Sequence, residues 1–187
     1  MLEKVMNKVY QLLVLNLLFI VTSIPIFTLG SALVALFEAS SVDPNSTVKT
    51  YFSAYKKSFK KANRIGSIFT LLIISVLVSS YLAPSILSLM LLYEVSMTFI
   101  MSCKLYFKFE YAHINLVKDA FLMTNGFIIG NIMLIGLAYA LLQVSLYVPA
   151  VGIFLGFSIW GSVYSSLMEY EIKKTLKNKR GILNDTI

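Results

Sequence analysis

Apolar positions gather into five long stretches, at residues 9–39, 65–83, 85–103, 127–147 and 151–168. Each of the last four is long enough to cross about 30 Å of hydrocarbon at about 1.5 Å per residue, so each predicts a membrane helix. The first stretch is too long for one crossing. As a single helix it would measure about 46 Å, and Pro25 would interrupt it by removing a hydrogen bond and clashing with the preceding turn.

Charge decides its path. The 16 Lys and Arg fall into four groups. These are Lys4 and Lys8; Lys49, Lys56, Lys57, Lys60, Lys61 and Arg64; Lys104, Lys108 and Lys118; and Lys173, Lys174, Lys177, Lys179 and Arg180. The connections around Pro25, Pro84 and Pro149 carry none. If every basic group is cytosolic, each intervening segment must enter the membrane and return. The predicted fold is all-α: a polytopic transmembrane helical bundle of three helical hairpins, each turning at a proline. It has five to six membrane segments in a single domain, with both termini cytosolic. The 9–39 hairpin has short arms, which fits a re-entrant loop or a tilted pair in a thinned bilayer. The pairs 65–83 with 85–103, and 127–147 with 151–168, are the second and third hairpins.

The cytosolic connections carry helices of their own. Asp43-Pro44 reads as a helix start, with Asp as cap and Pro in the first turn. Val48, Tyr51, Phe52, Tyr55, Phe59 and Ala62 follow at helical spacing, flanked by lysines. Residues 45–62 therefore predict a basic amphipathic helix in the inner headgroup region. Its candidate contact residues are Tyr51, Phe52, Tyr55, Lys56, Phe59 and Lys60, facing lipid, the ends of the bundle's own helices, or a partner. A weaker amphipathic segment covers 112–125. The tail, 169–187, continues as a polar helix that stops near Gly181.

Composition sets the class. A soluble domain is about half apolar and about a quarter charged, whereas this 21.0 kDa chain is 58% hydrophobic and 13% charged. Its interior is too small to hide that much apolar surface, so lipid must cover the excess. The net charge of +7 invites a nucleic-acid reading, but the basic groups sit between apolar runs, which suits anionic headgroups. The basic start followed by an apolar run mimics a signal peptide; it lacks a cleavage site and is expected to be retained.

Candidate chemistry is sparse. The single cysteine, Cys103, excludes an internal disulfide, and with the single histidine, His113, it gives no zinc spacing. There is no P-loop and no Ser/His/Asp or His/His/Glu grouping, so the expected protein is non-enzymatic, without cofactor or metal. Glu94 is the one ionisable residue in the middle of an apolar run, where a charge is costly. It reads as a protonated structural residue, a proton- or ligand-linked site, or a contact to a partner subunit. Asn16, Asn131 and Gln143 complete a candidate intramembrane polar site, with interhelical hydrogen bonds as their default role. Gly126 with Gly130, and Gly152 with Gly156, are GxxxG pairs that fit internal packing and leave a homo-oligomer open. Tyr81, Tyr147 and Trp160 read as interface anchors or packing residues.

The run Leu15-Asn16-Leu17-Leu18-Phe19, then Ser23-Ile24-Pro25, Thr28-Leu29-Gly30 and Ala35-Leu36, resembles the opening signature of the bacterial YesL family. Phe52, Tyr55 and Ser58-Phe59-Lys60 resemble its F-x-x-F-K-like segment. Phe107-Lys108-Phe109-Glu110 leading to Leu116-Val117-Lys118-Asp119-Ala120 resembles its third connection. Ser31 stands where that family often has proline, and Phe19 where it often has tryptophan. Genes of that family often lie beside carbohydrate ABC importers. The resemblance thus implies a bacterial cytoplasmic-membrane protein that accompanies importer permease subunits. A small stand-alone transporter or channel using Glu94 is the alternative.

Overall fold

The computed structural model describes residues 2–108 and 113–184, which form helices and short turns. Residues 109–112 and 185–187, and the side chains of His113 and of the basic tail cluster from Lys173 to Arg180, lie outside the described part. The helices are α1 (Leu2–Ser23), α2 (Leu29–Ala39), α3 (Thr47–Leu82), α4 (Ile86–Lys108), α5 (His113–Gly126), α6 (Ile128–Tyr147) and α7 (Phe157–Asn184). Among the described residues, four stretches are long and apolar enough to cross a membrane: Val5–Ser23, Pro44–Leu82, Ile86–Tyr106 and Ile128–Tyr147. The chain is an all-helical membrane protein.

Prolines stand at three helix breaks. Pro25 lies between α1 and a single 3-10 turn, Ile26–Thr28. Pro84 lies in the gap between α3 and α4, and Pro149 opens one turn after α6. That turn leads into a π-helical stretch, Gly152–Gly156, and then into α7.

α3 differs most from expectation. The predicted interfacial helix 45–62 and membrane helix 65–83 are one continuous helix of 36 residues, about 54 Å long. Polarity changes between Arg64 and Ile65, but no proline or capping residue interrupts the backbone there, and Gly66 alone does not stop a helix. The start also differs. Pro44 opens a 3-10 turn rather than the α-helix, and the Asp43 side chain caps nothing. At the other end of the chain, α7 runs through Gly181 to Asn184 instead of stopping.

α2 is the centre of the core. Its 11 residues span about 16 Å, half a hydrocarbon layer. Residues 30–37 and Ala39 are buried. The buried face of α3 is a narrow stripe of Thr47, Tyr51, Ala54, Ser58, Ala62, Ile65, Gly66 and Phe69, which meets α2 at Ala62 and Gly66, α1 through Thr47 and Tyr51, and α4 through Phe69. Val48, Phe52 and Phe59 of the expected apolar stripe are exposed, and the small residues Ala54, Ser58, Ala62 and Gly66 are buried beside them. Close approach is the reason. A Cβ built on Gly30 would run into the Ala62 carbonyl oxygen, and one on Gly66 would lie 3.1 Å from the Gly30 Cα.

The same contact fixes the depth of the α1–α2 hairpin. Thr22 Oγ1 and the Tyr51 hydroxyl are 2.6 Å apart, and Gly30 sits at Ala62 and Gly66. The start of α2, just past the Pro25 turn, is therefore level with the boundary between the basic and apolar halves of α3. Leu82 lies 16 residues past Gly66, about 24 Å further along the axis.

Candidate functional site

Broken helices leave backbone groups without intrahelical partners, and hydrocarbon offers no water to satisfy them. Side-chain amides do so here. Gln11, fully buried on α1, donates through Nε2 to the carbonyls of Ala39 (3.1 Å) and Val42 (2.9 Å) and to Thr47 Oγ1 (3.1 Å). Its Oε1 accepts from Lys8 Nζ at 2.7 Å. One side chain thus ties the end of α2 and the start of α3 to α1. Asn63 Oδ1 accepts from the Ser31 amide, 2.9 Å, in the first turn of α2. Asn16 Oδ1 accepts from the Ser158 amide, 2.9 Å, where α7 begins after the π stretch. Asn131 Nδ2 donates to the Thr124 carbonyl, 2.9 Å, near the end of α5.

The predicted polar site is accordingly dispersed. Asn16 and Asn131 are buried, but each serves a different helix end. Glu94, half-buried on α4, accepts a 2.8 Å bond from Asn125 Nδ2 of α5. Gln143 is half-buried on α6. No hydrogen bond among the described residues joins any two of these four.

A different ionisable group is buried. Lys104, counted above with a cytosolic cluster, points inward from α4 and is 3% exposed. Its Nζ donates to Ser165 Oγ (2.5 Å), lies 3.5 Å from Glu169 Oε1, and stands 5.9 Å from the centroid of the Phe37 ring. Ser165 and Glu169 are on α7 and Phe37 is on α2, so the cation joins three helices. Phe37 and Tyr164 stack behind it at 5.2 Å, and the Tyr164 hydroxyl points at Met101 Sδ, 3.8 Å away. Burying an ammonium is tolerated only with paired charge and hydrogen bonds. The clue in the sequence was register: Lys104 follows Met97 and Met101 at intervals of four and three, on the buried face of α4.

The six named contact residues of the 45–62 segment divide between faces. Tyr51 is fully buried, Tyr55 half-buried, and Phe52, Lys56, Phe59 and Lys60 are exposed. Tyr55 bridges the two sets, stacked on Tyr51 at 6.5 Å and edge-on to Phe59 at 5.6 Å. Val48, Phe52 and Phe59 form an apolar strip beside the seam with α2. Lys49, Lys56, Lys57, Lys60, Lys61 and Arg64 occupy the remaining side.

Of the four GxxxG glycines, only Gly152 makes a close packing contact, against Ser145 of α6. Tyr81 and Tyr147 are exposed beside Pro84 and Pro149, whereas Trp160 packs inward and donates from Nε1 to the Leu134 carbonyl at 3.2 Å. A cavity of about 550 Å³ lies between α1, α2, α3, α4, α6, the π stretch and the first turn of α7. Its lining is almost wholly hydrocarbon, with Phe19, Leu33, Ile73, Phe99, Leu141 and Trp160 among the walls.

The family described as "Protein of unknown function, DUF624", that of YesL-like membrane proteins, matches residues 12–81. This stretch covers most of the unit formed by α1, α2 and α3, including Gly30, Asn63 and Gly66. No curated protein and no solved structure matches the chain.

Proposed function

We propose, with the YesL-like match as the premise, that the protein is a non-catalytic accessory or scaffold subunit in a bacterial cytoplasmic membrane. The resemblance points to the permease subunits of a carbohydrate ABC importer as its partners. The supporting observation is the exposed face of the first half of α3. Its apolar strip, with Phe52 49% and Phe59 41% exposed, runs beside a row of lysines on a helix packed against α2. Such a face suits a partner with an apolar groove and an acidic rim.

Co-purification in mild detergent tests the reading. The expected result is recovery of importer permease subunits with the tagged chain, and their loss in a Phe52→Ala/Phe59→Ala variant. Recovery of a lone chain from several detergents would end it. Solute uptake by the reconstituted protein alone, abolished by Glu94→Ala, would favour the transporter reading instead.

The proposed topology keeps both ends cytosolic and makes the first hairpin re-entrant. α1 and α2 enter from the cytosolic side and turn at Pro25 within the bilayer, short of the level of Pro84. With Cys103 replaced by serine, a membrane-impermeant maleimide added outside intact cells should label Leu82→Cys and spare Phe27→Cys. Equal labelling at both positions would place the two turns on the same outer surface.

A further inference from the structure

The cavity bounded by α1, α2, α3, α4, α6, the π stretch and the first turn of α7 has no part in the proposed docking. We propose that it holds one acyl chain of a membrane phospholipid, whose headgroup stays outside. Its volume of about 550 Å³ is that of a typical ligand site. Among its lining residues only Ser96 and Ser145 have polar side chains apart from the Trp160 indole. Ser145 Oγ already donates to the Leu141 carbonyl at 2.6 Å, and Trp160 Nε1 to Leu134. Water needs two to four polar partners to settle in such a space, and these walls do not offer them.

The geometry also says how the chain enters. Leu142 and Phe157 belong both to the lining and to the exposed apolar surface, at 59% and 51% exposure. The cavity is therefore continuous with the surface that hydrocarbon covers. The π stretch forms one wall, and it is bare at Gly156, where an added Cβ would meet nothing within 4 Å. No cationic side chain is among the lining residues, so the site recognises a hydrocarbon tail and not a headgroup. π stretches within helices are frequent at functional sites because they open a helix wall.

Trp160, the only tryptophan, lines the cavity and reports on its contents. The full chain is reconstituted in nanodiscs of phosphatidylcholine or of its analogue brominated at mid-chain, since bromine quenches indole emission at contact. Wild type should lose most of its Trp160 emission in the brominated lipid. Gly156→Leu and Ser96→Leu fill the cavity from opposite walls, and each should restore much of that emission while the circular dichroism stays helical. Native mass spectrometry should find one phospholipid retained per wild-type chain, irrespective of headgroup. Unquenched wild type would overturn the proposal. So would quenching that persists equally in a folded filled variant, retention that depends on headgroup, or release of wild type free of lipid.

Discussion

Gly30→Ala is expected to separate α2 from α3 and cost about 1–3 kcal/mol, the range for overpacking a close-packed interior. The new methyl group would point at the Ala62 carbonyl oxygen, a backbone atom that cannot rotate away. Moving α2 back would also stretch the bond from the Ser31 amide to Asn63 Oδ1, and would disturb the carbonyls that Gln11 gathers at the other end. Thermal unfolding in detergent should show a lower midpoint and loss of the monodisperse species. Gly136→Ala is the control, because a Cβ there meets nothing within 4 Å. An unchanged midpoint for Gly30→Ala would mean that the two helices do not touch as described.

The second large effect is expected at Lys104. Lys104→Glu places a carboxyl group beside Glu169 and next to the Ser165 oxygen that now accepts from the ammonium. Reversing a buried charge removes the pairing that made burial tolerable, at about 3–5 kcal/mol by analogy with broken buried pairs. Lys104→Met should be much milder. It keeps an unbranched apolar stem against Phe37, and Glu169, 39% exposed, can turn to solvent. The double variant Lys104→Glu/Glu169→Lys should regain part of the loss by restoring opposite charges. Chemical unfolding of the four proteins decides the matter. A double variant no more stable than Lys104→Glu would show that the pairing contributes nothing.

Long apolar runs ended by proline were legible, because proline imposes its break locally whatever surrounds it. The end of α6 before Pro149, and the gap at Pro84, follow from that signal alone. The continuity of α3 was not legible. A change from lysine-rich to apolar residues marks a change of surroundings, and the backbone hydrogen bonds ignore it. Which side of α3 packs on α2 was not legible for a related reason: aromatic residues carry more apolar area, yet at a close helix crossing the small residues decide which face turns inward. Asn16 and Asn131 stood out as polar residues in apolar runs. Their partners are backbone groups at breaks near Ser158 and Thr124, and where those breaks fall depends on tertiary packing. Lys104 was hidden by its charge, which suited the cytosolic count better than its register suited a core.

Because α3 is a single rod, its two halves share one axis and one rotation. Phe52 on the basic half and Ile73, on the wall of the hydrocarbon cavity, are therefore fixed to one rod, about 32 Å apart along it. Gly30 of α2 meets that rod between them, at Ala62 and Gly66. With no intervening loop to absorb the slack, a single residue inserted between the two would turn the lysine-bearing face by about 100° relative to the cavity wall.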